Sequence, residues 1–298
     1  MIKLAAIDIG SNAVRLMLSR VYDEGRETSF IKESLVRVPL RLGEDVFTHK
    51  RITKEKEENL LAVMKGFKYL IRGFGAADYI ACATSAMREA SNGKEIAHTI
   101  KKQTGIEIEL IEGKREAAII YSSHIGRAFK ANETMLYIDV GGGSTEVTLI
   151  SQGRIVASAS FKIGAVRMLQ KGQLKREFDR LKTWLKAEAV PHHPLAAVGT
   201  GGSINNIFNI SRKKEHKPLS LKLIKEIRDY LDSFTVEERV QILGLRPDRA
   251  DVIVDAADVY LWIMRWTKIK KIYVPIMGLS DGLIWVLYEK YKSQHIDL

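Results

Sequence analysis

Apolar positions along the chain follow two periods that alternate from one end to the other. Some form short continuous runs, such as Met135 to Ile138, which are typical of buried strands. Others recur every three or four positions, as between Leu60 and Leu70, and predict a helix from Thr53 to about Arg72. This alternation of strands and helices predicts an α/β fold with a partly parallel sheet.

The remaining elements follow from the same two periods. Besides two hairpins, strands are predicted at 28–38, 79–83, 106–111, 154–161, 196–199 and 272–274. Further helices are predicted at 85–92, 94–103, 113–127, 164 onwards, 202–210, 219–232, 235–242, 248–266 and 281–291. Residues 40–45 are predicted to lead into a loop, and Asn92-Gly93 is predicted to end the helix before it.

The two hairpins repeat one pattern. In each, an apolar strand ends in an aspartate, which is followed by an apolar residue, a glycine and small polar residues. The first is Asp8-Ile-Gly-Ser-Asn12 and the second is Asp139-Val-Gly-Gly-Gly-Ser144. A related segment, Gly199-Thr-Gly-Gly202, precedes a helix instead of a strand. The two hairpins predict two like-built lobes that face each other across a cleft.

The glycine-rich turns favour phosphate binding. Glycine lets a ligand approach bare backbone N–H groups, and successive N–H groups in such a turn form a concave anion site. Asp139, and Asp8 at the equivalent position, end strands where a carboxylate could hold Mg²⁺ against phosphate oxygens. The alternative is a tight hairpin without a ligand, but three consecutive glycines cost backbone entropy that an ordinary turn does not require.

Composition limits the cellular compartments and the binding partners that are expected for this chain. With 298 residues, 46% of them hydrophobic and 28% charged, the chain suits two domains or one large one. Its single cysteine, Cys82, excludes an intrachain disulfide framework and fits a reducing compartment. There is no signal-peptide layout, and no apolar run approaches the ~20 residues of a membrane span. The sequence therefore predicts a cytoplasmic protein without a membrane partner.

The net charge of +11 favours polyanionic partners, among them nucleotides, inorganic polyphosphate and nucleic acid. Small basic clusters occur at 175–176, 212–214 and 268–271, and solvated surface faces explain most such runs. No nucleic-acid-binding motif accompanies these clusters, so nucleic acid is not expected as a partner.

Arg88 is a candidate phosphate ligand. It follows Thr84 and Ser85 at a predicted junction between a strand and a helix, where the helix N-terminus suits an anion. Its guanidinium could bind a terminal phosphate through two parallel hydrogen bonds. A surface arginine paired with Glu89 or Glu95 explains the segment about equally well.

Glu116 lies in the first turn of the helix predicted at 113–127. Taken alone, it is best explained as a surface carboxylate that complements the helix dipole. It becomes a candidate base only if its segment borders the cleft, because hydrolysis requires a group that orients and deprotonates water.

Several common catalytic motifs are absent from the sequence. There is no Walker A segment, no complete G-x-G-x-x-G before a helix and no G-x-S-x-G elbow. His192-His193 has no third ligand nearby in the sequence, so a loop pair explains it better than a metal site.

Six segments together resemble the exopolyphosphatase/guanosine pentaphosphate phosphohydrolase family, in the order in which that family carries them. They are Asp8 to Leu16, Ala83 to Ala90, Gly113 to Ala117, Asp139 to Glu146, Ile163 to Arg167 and Gly199 to Gly202. The family belongs to the superfamily of actin, sugar kinases and heat-shock chaperone ATPases. The resemblance implies a two-lobed actin-like ATPase (ribonuclease H-like) α/β fold with the active site in the interdomain cleft. Domain I is then expected at 1–127 and domain II at 128–280, with the last helix, about 281–298, packed on domain I.

The resemblance also implies roles for individual residues. Glu116 matches the catalytic base, and Arg88 matches an arginine that holds the end phosphate. Asp139 and Glu146 match the acidic positions associated with Mg²⁺, and Asp8 occupies the equivalent position in the first hairpin. The implied phosphate-binding residues are Gly10, Ser11, Asn12, Gly141, Gly142, Gly143, Ser144, Gly199, Thr200, Gly201 and Gly202.

These roles imply a Mg²⁺-dependent phosphohydrolase that removes terminal orthophosphate from inorganic polyphosphate, from guanosine pentaphosphate, or from both. A homodimer is compatible with the resemblance. Two other functions stay open, namely a kinase of the same superfold and a non-catalytic sensor that binds polyphosphate or an alarmone.

The sequence departs from the family pattern at two places. Glu112 and Arg115 stand where the family usually has Ser and Glu, and Ser280-Asp281-Gly282 replaces the common Arg-Glu-Gly. The exchange at Arg115 puts a cation beside the expected base, where it would lower the pKa of a neighbouring carboxyl. This departure motivates the sensor hypothesis.

Overall fold

The computed structural model describes residues 1–23, 28–122, 133–169, 174–194, 196–275 and 277–295. The chain divides into two compact units, of which unit 1 comprises Met1–Ser123 and Gly278–Leu298, and unit 2 comprises His124–Met277. The expected domain boundary at 127/128 lies outside the described residues, as do positions 296–298 of the last helix. Within the described ranges, no helix combines the length and the apolar character that crossing a membrane requires.

Unit 1 is built on a five-stranded sheet in the order β3-β2-β1-β4-β5. An antiparallel meander of three strands is extended beside β1 by two parallel strands. The strands are β1 (Ile2–Ile9), β2 (Val14–Asp23), β3 (Thr28–Val38), β4 (Asp78–Ala83) and β5 (Glu109–Leu110). β1 is continuously buried from Leu4 to Ile9 because it is central in the sheet and covered on both faces.

Unit 2 repeats this plan with six strands in the order β10-β11-β9-β6-β7-β8. The strands are β6 (Met135–Val140), β7 (Thr145–Ser151), β8 (Arg154–Phe161), β9 (Ala196–Thr200), β10 (Leu219–Ser220) and β11 (Lys271–Tyr273). β6, β7 and β8 form the meander, β9 and β11 run parallel to β6, and β10 adds an antiparallel edge. The repeated topology confirms the predicted α/β class.

Helices cover the two sheets. Those of unit 1 are α1 (Leu42–His49), α2 (Lys54–Phe74), α3 (Ser85–Glu89), α4 (Gly93–Thr104), α5 (Gly113–Ser122) and α13 (Leu279–His295). Those of unit 2 are α6 (Ala165–Met168), α7 (Leu174–Trp184), α8 (Gly202–Ile210), α9 (Leu221–Asp232), α10 (Val236–Gln241), α11 (Pro247–Ala250) and α12 (Ile253–Trp266). α7 continues into a π-helical turn, Leu185–Ala189, and a 3-10 turn, Val190–His192.

Helix α13 packs against α5, β1, β2 and β4 within unit 1. Gly282 allows the close approach to α5, because a Cβ atom at this position would lie 2.2 Å from the carbonyl oxygen of Ile119. In unit 2, α12 is the central helix and is buried along most of its length, as its nearly continuous apolar sequence requires.

Two predictions around α1 and α4 are wrong. Residues Leu42–His49 form helix α1 where a loop is expected. Asn92-Gly93 begins α4 instead of ending the helix before it, since Asn92 has a φ of −103° and not the left-handed conformation of a helix C-cap. The side-chain amide group of Asn92 bridges the backbone of Ile52, with hydrogen bonds of 2.9 and 3.0 Å to the carbonyl and the amide.

Other element bounds also differ from the prediction. The strand expected at 106–111 is reduced to Glu109–Leu110. The segment 219–232 begins with strand β10 before α9 starts. The helix expected at 248–266 is interrupted between α11 and α12. Of the helix expected at 113–127, residues 123–127 lie outside the described ranges.

Candidate active site

Two buried carboxylates face each other at the end of the β6–β7 hairpin in unit 2. The strand register sets Asp139 directly opposite Glu146, and these residues are 8% and 1% exposed. Ser160 donates a hydrogen bond of 2.7 Å to Glu146. Like charges placed opposite one another repel, and burial strengthens that repulsion. Paired carboxylate oxygens are the donors that a hard divalent cation prefers, so these residues fit Mg²⁺.

The turn between these strands presents its amides and buries its carbonyls. The amide of Gly141 donates to the carbonyl of Ser144 at 2.9 Å, which closes the turn. The carbonyls of Gly141 and Gly142 accept bonds of 2.9 to 3.0 Å from the first amides of α6, and the Arg167 side chain donates to Gly143 at 2.7 Å. Among the described residues, the amides of Gly142 and Gly143 have no acceptor, which suits an anion.

Gly164 lets α6 approach the turn this closely. A Cβ atom at position 164 would lie 2.4 Å from the carbonyl carbon of Gly143 and 2.5 Å from the carbonyl oxygen of Gly142. These are backbone atoms of the turn itself, so any side chain at 164 would displace the helix or the turn.

The third glycine segment packs beside Asp139. Gly201 has a φ of +106°, a conformation that favours glycine. A Cβ atom here would lie 2.7 Å from the carbonyl oxygen of Val140 and 3.0 Å from the Asp139 carboxylate. Gly199, by contrast, lies within β9, where the Ile272 side chain fills the space beside it. Its lack of a side chain therefore serves packing, and phosphate binding at Gly199 stays a prediction.

Tyr260 bridges the ends of β6 and β9, a role that the sequence alone does not predict. Its hydroxyl donates to the carbonyl of Thr200 and accepts a bond of 3.2 Å from the amide of Val140. The residue is fully buried. Burial, and then the negative charge of Asp139, raise the pKa of Tyr260 well above its usual range, so the hydroxyl keeps its proton. A tyrosine within an apolar helix carries no sequence signal for this role.

Arg249 is a second residue that the sequence does not single out. Its guanidinium lies directly over Gly202 at the start of α8, where a Cβ atom would come within 2.2 Å of Nη2. A positive charge at the N-terminus of this helix reinforces an environment that already favours anions. The sequence predicts one helix over 248–266, in which Arg249 would be an ordinary helix residue. In the structure, Arg249 belongs to the separate short helix α11.

Unit 1 contains the same turn, held in the same way. The amide of Gly10 donates to the carbonyl of Ala13 at 3.1 Å, as Gly141 does in unit 2. The amide of Gly43, in the first turn of α1, donates to the carbonyl of Ser11 at 2.8 Å. α1 thus has the position in unit 1 that α6 has in unit 2. The pairs Leu42-Gly43 and Ile163-Gly164, each following the third strand of a meander, are the sequence signal for this repeat.

The two aspartates differ in charge environment although their backbones are equivalent. β2 places Arg15 opposite Asp8, and the two side chains form an ion pair of 2.5 Å. The equivalent position in unit 2 holds Glu146. Asp8 is therefore compensated by a fixed cation within the chain. Its expected role as a metal ligand stays a prediction, and it has less support than Asp139.

The segment that carries Arg88 adjoins the first turn. The hydroxyls of Ser85 and Ser11 are 2.9 Å apart, within hydrogen-bond distance. The Arg88 guanidinium donates a bond of 2.5 Å to the carbonyl of Ile111, just before α5, which carries Glu116 in its first turn. The structure therefore brings Arg88 and the segment containing Glu116 together within unit 1.

Cys82 is a buried thiol on β4, at the position paired with Asp8 of β1. Burial, and then the carboxylates of Glu109, Asp8 and Glu116, raise the pKa of its thiol to about 12. The thiol is buried and stays protonated at neutral pH, in agreement with its interpretation as a small core residue.

The two departures from the family pattern occupy defined positions. Arg115 is half exposed, and its guanidinium lies 4.0 Å from Glu109. Consecutive helix residues do not face each other, so helix geometry does not place Arg115 over Glu116. Asp281 accepts a bond of 2.9 Å from the amide of Gly278 at the start of α13 and pairs with Lys32 at 3.1 Å.

Comparisons with known proteins agree with this description. The model of the Ppx/GppA phosphatase family matches residues 34–291. The Exopolyphosphatase 1 of Mycobacterium tuberculosis is 26% identical over 302 residues, covering 95% of this chain and 87% of that protein. The Bifunctional 3-dehydroquinate synthase/phosphatase of Fusobacterium nucleatum is 32% identical over 315 residues, covering 97% of this chain. This chain spans 47% of the length of that relative.

Solved structures support the same fold. The Aquifex aeolicus member of the Ppx/GppA protein family superposes with a TM-score of 0.76 at 25% identity, covering 97% of this chain and 98% of that one. An exopolyphosphatase from Cytophaga hutchinsonii has a TM-score of 0.82 at 23% identity, with the same coverage. These similarities confirm the predicted fold, whereas the location of the active site in an interdomain cleft stays a prediction.

Proposed function

The chain belongs to the Ppx/GppA phosphatase family, and we propose that it is a Mg²⁺-dependent phosphohydrolase that removes the terminal orthophosphate from inorganic polyphosphate. The observation that carries this proposal is the buried pair Asp139 and Glu146 beside a turn whose amides suit an anion. These two features suit phosphoryl transfer, since its catalysis consists mainly of positioning and charge stabilisation. Relatives named exopolyphosphatase support the choice of substrate.

Asp139 and Glu146 would hold the metal through their carboxylate oxygens. When bound, Mg²⁺ neutralises negative charge on the phosphate oxygens. The turns at 10–12 and 141–144, together with residues 199–202, would bind phosphate oxygens through backbone amides. Arg88 has donors beyond the one that holds Ile111, and these would bind the terminal phosphate.

Glu116 is proposed as the general base. It would accept a proton from the water that attacks the terminal phosphorus. The bond between that phosphorus and the bridging oxygen breaks, and the electron pair leaves with the shortened chain. The products are one orthophosphate and a polyphosphate that is one unit shorter.

Guanosine pentaphosphate is the second substrate that the family membership supports. It presents the same terminal phosphoanhydride and differs only in what lies beyond it. The residues assigned above contact only the shared terminal part, so both substrates are compatible with them.

The proposal is tested by following phosphate release from long-chain polyphosphate and from guanosine pentaphosphate, side by side, with Mg²⁺ in ¹⁸O-labelled water. We expect labelled orthophosphate from polyphosphate, with the ratio of kcat/KM values naming the preferred substrate. Transfer of the phosphoryl group to ADP or another acceptor without labelled orthophosphate would identify a kinase. Tight binding without any release would identify a sensor, and either result would refute the proposal.

A further inference from the structure

A row of basic side chains adjoins the outer edge of the unit 2 sheet, away from the carboxylate pair. β10 is the terminal strand, and its pairing with β11 sets Ser220 opposite Lys271. The amide of Leu221 donates to the carbonyl of Lys270 at 3.0 Å and continues this pairing. The loop at 211–218 leads directly into β10. Two basic clusters that are far apart in the sequence, 212–214 and 268–271, therefore adjoin the same edge.

The basic edge is defined here by six side chains, all of them exposed. They are Arg212, Lys213, Lys214, Lys217, Lys270 and Lys271. Across the part of the chain that the structure describes, none of the six forms an ion pair. Some other surface cations of unit 2 do, as Lys225 does with Asp229 at 2.7 Å. Glu215 is the one acidic residue of the loop at 211–218, so the basic edge is a surface of net positive charge.

The basic edge is separate from the candidate active site. Lys270 and Lys271 lie along the pairing of β11 with β10, and the other four cations lie in the loop at 211–218 that leads into β10. Ile272, next to Lys271, pairs with Ala197 near the start of β9, whereas Asp139 pairs with its last residue, Thr200. Six cations contributed by two separate segments match a polyanion that carries many charges better than a single compact phosphate group.

We propose that the basic edge binds the internal stretch of a long polyphosphate chain, a second contact that rests on the proposed function. Residues 211–221 and 268–272 contain no Phe, Tyr or Trp, and Tyr273, which follows them, is only partly exposed. Surfaces for single-stranded nucleic acid, by contrast, combine positive charge with aromatic stacking platforms. Lysine, the main component of the edge, acts as a point charge without a preferred planar partner. A second contact on the same chain raises the effective concentration of its end, so long chains bind more tightly than short ones.

The test compares two triple variants of the full chain that remove the same charge. K213Q/K214Q/K217Q changes the basic edge, and the control K65Q/K68Q/R72Q changes three exposed cations of α2 in unit 1. Equilibrium binding of fluorescently labelled long-chain polyphosphate and of tripolyphosphate is measured over a range of salt concentrations. Phosphate release is measured separately, so that failure of hydrolysis and failure of this second contact are distinguished.

For the basic-edge variant, we expect long-chain binding to weaken about tenfold and the slope of log K against log salt to fall by about 2. Tripolyphosphate binding is expected to stay unchanged, and so is long-chain binding to the control variant. Equal losses in both variants, or no loss in either, would overturn the proposal. Single-stranded DNA of equal charge is tested as a further ligand. If it binds as tightly as polyphosphate, and if K213Q/K214Q/K217Q removes that binding, the proposal would also be overturned.

Discussion

Asp8 and Asp139 end equivalent strands, but the residue opposite each one gives it a different chemistry. Arg15 compensates Asp8, whereas Glu146 adds a second carboxylate to Asp139. The sequence motif identifies both aspartates, yet it does not reveal which is paired with a cation. That distinction depends on strand register, which places a residue from the neighbouring strand opposite each aspartate.

This difference predicts that only one aspartate controls the metal requirement. In a Mg²⁺ titration of phosphate release, Asp139→Asn is expected to raise the half-saturating Mg²⁺ concentration by about tenfold or more. Asp8→Asn serves as the matched control and is expected to leave that concentration unchanged, whatever its effect on kcat. A shift of equal size in both variants would place Asp8 at the metal as well.

Tyr260 and Arg249 mark the limit of what the sequence reveals about individual residues. The glycine-rich turns are recognisable because their function depends on a local run of residues. Tyr260 and Arg249 act on those turns from helices that lie much later in the chain. Only the tertiary structure places the two residues beside the turns, so no local sequence pattern predicts their role.

Removing the Tyr260 hydroxyl is expected to weaken the junction between β6 and β9. Tyr260→Phe would leave the amide of Val140 and the carbonyl of Thr200 without this buried partner, at a cost of about 1–3 kcal/mol in the free energy of unfolding. Denaturant unfolding measures the loss. Tyr79→Phe, which removes an exposed hydroxyl bond to Gly105, is the control and should cost well under half as much. Equal costs would argue against a special role for Tyr260.

At the scale of elements, each turn is stabilised by the start of a short helix. α1 is eight residues long, and no side chain caps its N-terminus. Its local sequence therefore gives little support to a helix, which is why a loop is expected there. The bond from Gly43 to the carbonyl of Ser11 supplies the tertiary support that local reasoning lacks. The long helix α2, which Thr53 caps, is predicted correctly.

Replacing a helix glycine by alanine is expected to destabilise the protein at one position and to stabilise it at another. Gly164→Ala would force a Cβ atom against the backbone of Gly142 and Gly143, and we expect a loss of about 1–3 kcal/mol in the free energy of unfolding. Gly66, in the exposed part of α2, has no atom within 4 Å of its Cβ position. Gly66→Ala is expected to stabilise by up to about 1 kcal/mol. Thermal unfolding of both variants measures the two changes in stability. An increase in stability for Gly164→Ala would contradict the close packing of α6 against the turn.

For the whole molecule, the duplicated hairpin predicts the duplicated sheet. The strand order of the meander and its parallel extension recur in both units, as two copies of one motif imply. Edge strands such as β10 and short helices such as α11 are not predicted, because each has too few residues to show a period. The proposed hydrolysis depends on residues from several separate segments of the chain. Substitution of the proposed base, Glu116, tests it best.

The most direct test of this account is phosphate release from long-chain polyphosphate by the wild type, Glu116→Gln and Glu112→Gln, with substrate binding measured in parallel. Glu112 is exposed one helical turn before Glu116 and is a matched control. We expect Glu116→Gln to lower kcat by about 10²- to 10⁴-fold with binding retained, and Glu112→Gln to keep wild-type turnover. Comparable turnover by Glu116→Gln and the wild type would contradict the central claim that Glu116 is the base of a phosphohydrolase.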